Sequence, residues 1–127
     1  MATQADVRTI ALALPETSEE EGRFAFAVRN GAKYKGFAWL WMQRVEPGTP
    51  RVPRPDVLAV RTAGLDAKEV LLMADPRKFF TEPHYDGFPA VLVHLAKVGR
   101  GELRELLTQA WLAQAPAKLR KAFTQAR

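Results

Sequence analysis

The segment Phe79–Leu95 reads FFTEPHYDGFPAVLVHL and joins a turn to a run of apolar residues. Proline fixes its own backbone angle and glycine adopts angles that other residues avoid, so Pro83 and Gly87 predict a tight turn. The run Pro89–Ala96 is almost entirely apolar, which is typical of a strand buried on both faces. The segment therefore predicts a turn that leads into a buried strand, with Phe79-Phe80 as a short strand before it.

Three further strand patterns precede this segment. Residues 24–29 alternate as a strand does, and Asn30-Gly31 then signals a tight hairpin turn. The returning strand is apolar on both faces and is predicted to be central, with three aromatic residues at period two on one face, Phe37, Trp39 and Trp41. The residues Val57–Val60 predict the third strand.

Helical spacing of apolar residues marks four other segments. Thr3 is a candidate N-cap for the first, and Asp66 with Glu69 resembles a capping box before the second. In chain order the helical patterns lie at Val7–Leu14, Val70–Met73, Leu103–Gln114 and Lys118–Phe123.

The remaining segments are predicted as loops. Glu16–Glu21 is an acidic patch, and Glu46–Pro55 contains prolines that lack the donor a ladder or helix needs. The predicted order is αβββαββα with a final turn of helix. Short links favour antiparallel neighbours, so we expect an α+β, two-layer sandwich with an antiparallel sheet of about five strands and helices on one face. All 127 residues fit one domain.

Composition excludes several kinds of site and bears on location and charge. The chain has no cysteine, which excludes disulfides, thiolate zinc sites and a cysteine nucleophile. No signal peptide or membrane-spanning run is recognised, so we expect a bacterial cytoplasmic location and no membrane partner. The net charge is +5, and its excess lies in residues 23–63, where eight Lys and Arg face two Asp and Glu, and in residues 99–127, where six face two. Such regions attract phosphate backbones, although solvated surface charge is the alternative.

Catalytic motifs are not found. Ser18 sits among glutamates without a nucleophile elbow, and no phosphate loop or cofactor fingerprint occurs, so we expect no enzyme activity and no cofactor. Glu82, His84 and Asp86 would supply metal ligands only if their segment were extended, whereas a turn that satisfies local backbone groups is the simpler interpretation. His94 lies in an apolar strand and is interpreted as a hydrogen-bonded core or sheet-face residue.

The candidate nucleic-acid contacts are basic residues at two places. On the hairpin and its returning strand they are Arg29, Lys33, Lys35 and Arg44, and on the last helix they are Lys118, Arg120 and Lys121. Nearby Tyr34, Phe37, Trp39 and Trp41 would stack bases, although a core strand is the alternative explanation for this aromatic spacing.

Several motifs resemble the MmcQ/YjbR family of small bacterial proteins. They are Leu14-Pro15-Glu16, Phe26-Ala27-Val28-Arg29, Phe37-Ala38, Ala74-Asp75-Pro76, Phe79-Phe80, the turn Pro83-His84-Tyr85-Asp86-Gly87 with Phe88-Pro89, and Leu107, Ala110 and Trp111. The resemblance implies a two-layer α/β arrangement shared in outline with type III secretion chaperones. Its members are commonly described as DNA-binding, largely by fold analogy. The insert Glu46–Pro55 is longer than the family pattern.

We therefore expect a non-enzymatic protein that binds nucleic acid, with DNA as the expected partner, electrostatically and with little sequence selectivity. One alternative is a module that docks a protein partner on a sheet face or helical groove. Another is a small-molecule pocket between the Pro83–Pro89 turn and the sheet.

Overall fold

The computed structural model describes residues 1–126. Its elements are α1 (Gln4–Leu12), β1 (Thr17–Glu19), β2 (Ala25–Asn30), β3 (Lys33–Gln43), β4 (Val52–Arg61), α2 (Leu65–Ala74), β5 (Phe79–Phe80), β6 (Ala90–His94), α3 (Arg100–Gln114) and α4 (Ala117–Ala126), with 3₁₀ turns at Pro83–Tyr85 and Leu95–Lys97. In this described part of the chain, no helix has the length and apolar character of a membrane span.

The strands form one antiparallel sheet in the order β1-β2-β3-β4-β6-β5. The α+β class is thus confirmed, with a sixth strand, β1, inside the acidic segment predicted as a loop. Thr17 of β1 lies opposite Val28 of β2. Glu19 accepts two hydrogen bonds from Arg8 on α1, at 2.8 and 2.9 Å, so its charge does not prevent pairing.

The helices cover one face of the sheet and bury the larger core there. Trp111 and Leu107 of α3 are fully buried against Phe26 and Leu58 of the strands. The opposite face has a smaller aromatic cluster, which the Pro83–Tyr85 turn covers.

An extra residue in β3 decides which aromatic side chains enter each core. Phe26 pairs with Ala38 while Ala27 pairs with Gly36, so Phe37 is a bulged residue with no partner of its own. Phe37 therefore joins the helix-side core, whereas Trp39 and Trp41 belong to the opposite cluster. The predicted common face for these three residues is wrong, because strict alternation fails at the bulge.

The proline-rich insert is also more regular than predicted. β4 begins at Val52 and pairs Pro53 with Met42. The neighbouring strand β6 contacts β4 only from Val57 onward, so this half of β4 is a sheet edge. Prolines are tolerated at an edge because their missing donor need not meet a partner strand.

Of the two predicted helix caps, one is confirmed and the other is wrong. Thr3 accepts a hydrogen bond from the Asp6 backbone while Asp6 accepts one from Thr3, so the predicted N-cap of α1 is confirmed as a full capping box. The predicted box at Asp66 is wrong, because α2 has Gly64 at its N-cap and no side-chain cap.

Candidate nucleic-acid interface

The β2–β3 hairpin has the first group of predicted cations. Its two-residue turn is Gly31-Ala32, between the paired Asn30 and Lys33, and Gly31 has a positive φ of 67°. Lys33 and Lys35 are exposed where β3 begins. Arg29 is exposed as well and donates from Nε to the Gly31 carbonyl at 3.3 Å. All three predicted cations of the hairpin therefore face solvent.

The strand register divides these cations between the two faces of the sheet. Lys35 lies opposite Val28, which is fully buried beneath the helices, so Lys33 and Lys35 are on the helix side. Arg29 lies opposite Tyr34, and this pair is on the other side. The hairpin therefore has a lysine face and an arginine–tyrosine face rather than one patch.

Two side chains tie the hairpin to the carboxyl end of α3. Asn30 donates from Nδ2 to the Gln114 carbonyl at 3.0 Å. Gln114 in turn donates from Nε2 to the Gly36 carbonyl at 3.0 Å. Because α4 begins at Ala117, the hairpin and the start of α4 are held at the same end of α3.

The last helix supplies the second group of predicted cations. The Phe123 ring packs on the Trp111 ring with centroids 4.9 Å apart, which anchors α4 to α3. Lys118 and Lys121 are exposed, and three residues of spacing makes them neighbours on the helix surface. Arg120 donates to the Ala115 carbonyl at 2.9 Å, so part of its guanidinium is already engaged.

The four lysines share one electrostatic property. In the part of the chain that the structure describes, Lys33, Lys35, Lys118 and Lys121 form no ion pair with an acidic side chain. We call these four residues the lysine surface.

Arg44 lies outside this surface. β3 has eleven residues from Lys33 to Gln43, so its ends are about 35 Å apart. Arg44 follows the far end and donates to the Thr49 carbonyl at 2.8 Å. The length of the strand therefore separates Arg44 from the hairpin cations with which the sequence grouped it.

The Pro83–Gly87 turn packs directly on the sheet. Tyr85 is buried, and its hydroxyl accepts a hydrogen bond from Trp39 Nε1 at 3.0 Å. Gly87 follows with a φ of 75°. The Tyr85 ring thus occupies the space between turn and sheet in which the sequence suggested a small-molecule pocket.

A lysine that sequence reasoning missed holds this turn. Lys68 of α2 is buried and donates from Nζ to the carbonyls of Tyr85, at 2.6 Å, and Phe88, at 2.9 Å. Burial lowers the pKa of Lys68, although the nearby carboxylates of Asp86 and Glu69 oppose the change. Its only sequence signal is a single cation in α2, a helix that also contains Asp66 and Glu69.

The two histidines lie on a sheet face and in a 3₁₀ turn. His94 stacks on Phe80 with ring centroids 4.5 Å apart, on the sheet face opposite the helices. His84 is exposed within a 3₁₀ turn, so it does not alternate with Glu82 and Asp86 as an extended segment would require. Among residues 1–126, no three potential metal-ligating side chains lie close enough to form a site.

Comparison with known proteins gives relatives along almost the whole chain. The YjbR family model matches residues 12–113. "Uncharacterized protein Rv2570" of Mycobacterium tuberculosis and "Uncharacterized protein Mb2600" of Mycobacterium bovis are each 38% identical over 129 residues, which cover 97% of this chain and 96% of the relative.

A solved structure has the same fold. The crystal structure of Deinococcus radiodurans protein DR2400, with a DUF419 domain, aligns with a TM-score of 0.67 at 22% identity, covering 98% of this chain and 89% of that one. The order of helices and strands, the motifs around the Pro83–Gly87 turn and these matches agree. The chain belongs to the YjbR family.

Proposed function

We propose that this protein binds nucleic acid in the bacterial cytoplasm through its lysine surface, and that it acts by binding rather than by catalysis. The observation that supports the proposal is the gathering of four exposed lysines without ion pairs at one end of α3. Free ammonium groups neutralise phosphates and release condensed counterions, which is the main source of sequence-independent affinity.

The same geometry favours low sequence selectivity. Reading bases in a major groove requires an exposed helix or ribbon that enters it. The longest helix, α3, buries Leu103, Leu107 and Trp111 against the sheet. The four cations of the lysine surface contact phosphates as point charges and lack the fork that arginine offers to guanine. We therefore assign the surface to backbone contact.

Charge reversal tests this proposal. Binding of a labelled random-sequence duplex is measured at several salt concentrations for the wild type, for Lys33→Glu with Lys35→Glu, and for Lys118→Glu with Lys121→Glu. Each double variant is expected to weaken binding at least tenfold and to reduce the slope of log affinity against log salt by about two.

A matched control carries the same charge change elsewhere. Arg44→Glu with Lys97→Glu alters two exposed cations away from the lysine surface and is expected to weaken binding far less. Equal losses in all three double variants would contradict the lysine surface, and absence of binding at low salt would contradict the function itself.

A second candidate function, protein binding, is favoured by α2. This helix exposes Leu65 by 51%, Val70 by 67% and Met73 by 75%, while the residue it buries is Lys68. A groove of about 720 Å³ lies between α2 and α3. Contiguous exposed apolar residues often mark interaction surfaces.

Self-association is the first test of the α2 surface. Sedimentation of the wild type over a range of concentrations is compared with that of Val70→Asp combined with Met73→Asp. Association in the wild type alone would assign the contact to α2. A wild type that stays monomeric would exclude a second copy of the chain as the partner.

A further inference from the structure

The sheet face opposite the helices is covered unevenly. The Pro83–Tyr85 turn and its aromatic neighbours lie over β4, β6 and β5. Over β1, β2 and β3 the same face forms an open groove of about 420 Å³. None of the four residues of the lysine surface lines this groove.

The floor of the groove is flat because its side chains are small. Ser18 lies opposite Ala27, and Ala27 lies opposite Gly36, so one row of small residues crosses three strands. Ala25 continues this floor on β2. A flat floor of this kind accommodates a planar ring better than it does a branched aliphatic group.

Two aromatic side chains form the walls. Tyr34 is 56% exposed, so its ring is available to a ligand. Trp39 is held in place by its hydrogen bond to Tyr85, and it borders the floor, because a methyl group at Gly36 would lie 3.9 Å from the indole Cε3. A ring that is fixed in advance loses little conformational entropy when a ligand stacks on it.

The groove also has cations on its own face. Arg29 lies directly opposite Tyr34 and forms no ion pair with a residue of the described chain. At the other end, Arg23 lies 3.5 Å from Glu20 in an exposed pair, which is a weak association. A ligand that enters here meets an aromatic wall beside the Arg29 guanidinium, which has no acidic partner in the described chain and whose Nε donates to the Gly31 carbonyl.

We propose that this groove binds an unpaired nucleobase of a single-stranded nucleic acid, with Arg29 contacting the adjacent phosphate. Bases in a duplex are stacked and paired, so only a strand with exposed bases presents a ring face to such a groove. The proposal rests on the proposed function and adds a preferred substrate class. Two features favour this occupant. The aromatic walls can stack on a base, and the positive charge of Arg29 is complementary to that of a phosphate.

The test separates base contact from phosphate contact. Fluorescence anisotropy compares a labelled thymidine strand of about 12 nucleotides with an abasic strand of the same length and phosphate count. The wild type is expected to bind the thymidine strand about tenfold more tightly. Tyr34→Ala and Gly36→Val should remove that preference while leaving abasic binding unchanged.

Two variants control for indirect effects. Tyr34→Phe keeps the ring and should keep the preference, and Val45→Ala removes an exposed apolar side chain near the other end of β3 and should have no effect.

A second measurement needs no variant. Irradiation of a strand that contains 5-iodouracil should crosslink Tyr34 or Trp39, and a crosslink confined to α4 would overturn the groove.

The outcomes distinguish this inference from the proposed function. Equal binding of the thymidine and abasic strands, with both weakened by Lys33→Glu and Lys35→Glu, would overturn the groove and leave the lysine surface in place. Failure of the wild type to bind either strand or a duplex at low salt would overturn both.

Discussion

Lys68 Nζ lies 2.6 Å from the carbonyl oxygen of Tyr85, so one helix residue fixes a turn 17 positions further along the chain. The same ammonium reaches the Phe88 carbonyl. Both bonds involve a charged donor, and such bonds are stronger than those between neutral groups. The turn that carries the family motif is therefore attached to α2 as well as to the sheet.

Replacing Lys68 with methionine is expected to destabilise the protein by about 2–4 kcal/mol, because two carbonyls lose their donor in a partly buried site. Urea unfolding measures the loss. Lys97→Met changes an exposed lysine and should stay within about 0.5 kcal/mol of the wild type. Equal stability of the two variants would contradict the structural role of Lys68.

Tyr85→Phe removes the hydroxyl that accepts from Trp39 Nε1. We expect a loss of about 1 kcal/mol in the free energy of unfolding, since the indole donor is left without its partner. Tyr34→Phe is the matched control because Tyr34 is largely exposed, and it should not change stability. If thermal unfolding shows equal losses for both, the Tyr85 hydrogen bond has no special contribution.

Gly87→Ala places a side chain at a φ of 75°, in the left-handed region. Strain there is expected to cost about 1–2 kcal/mol, even though no atom lies within 4 Å of the added carbon. Gly101→Ala, within α3, should instead stabilise by up to about 0.5–1 kcal/mol, because alanine suits a helix better than glycine does. Opposite signs in denaturant unfolding would support both assignments, and equal signs would contradict the turn geometry.

The pair of Arg8 and Glu19 predicts a dependence on pH. Hydrogen bonds from Arg8 hold the pKa of Glu19 below its ordinary value of 4.5, although partial burial opposes the shift. A carboxyl whose folded pKa is lowered stabilises the fold above its unfolded pKa, and this contribution is lost as pH falls through the folded pKa.

Glu19→Gln should therefore be less stable than the wild type at pH 7, and the difference should shrink as pH falls below the ordinary glutamate pKa of 4.5 and through the lowered pKa of Glu19. Unfolding measured across this range checks the prediction. Glu46→Gln, at an exposed glutamate without an ion pair in the described chain, should show no such convergence. A difference for Glu19→Gln that is constant with pH would contradict the ion pair.

Local signals predicted much of the fold because local chemistry determines those parts. The Asn30-Gly31 hairpin, the Thr3 cap and the apolar strand β6 each depend on residues that are close in sequence. The fold class followed from the short links between such elements.

Features that depend on distant partners were not predictable in the same way. β1 looked like an acidic loop because the neutralising partner of Glu19 is Arg8, on another element. The burial of Lys68 was not predicted, because its acceptors lie in a later turn. The face of Phe37 depended on one unpaired position in β3.

In the candidate site too, features that depend on distant partners were not predictable from the sequence. The exposed lysines of the hairpin and of α4 were identified from charge alone. Their common placement depends on Asn30 and Gln114, which bridge elements far apart in sequence. The separation of Arg44 from the lysine surface became clear only from the length of β3.

The sheet order has a consequence for how the chain folds. Strands β1 to β4 are neighbours in sequence as well as in space, whereas Arg61 of β4 must find Ala90 of β6 after α2 and β5. Closing that longer loop costs more chain entropy, so we expect the first four strands to assemble first. In that intermediate, the half of β4 from Val57 to Arg61 has an open edge without proline. We therefore expect newly made chains to be most prone to aggregation during the interval before β6 covers this edge.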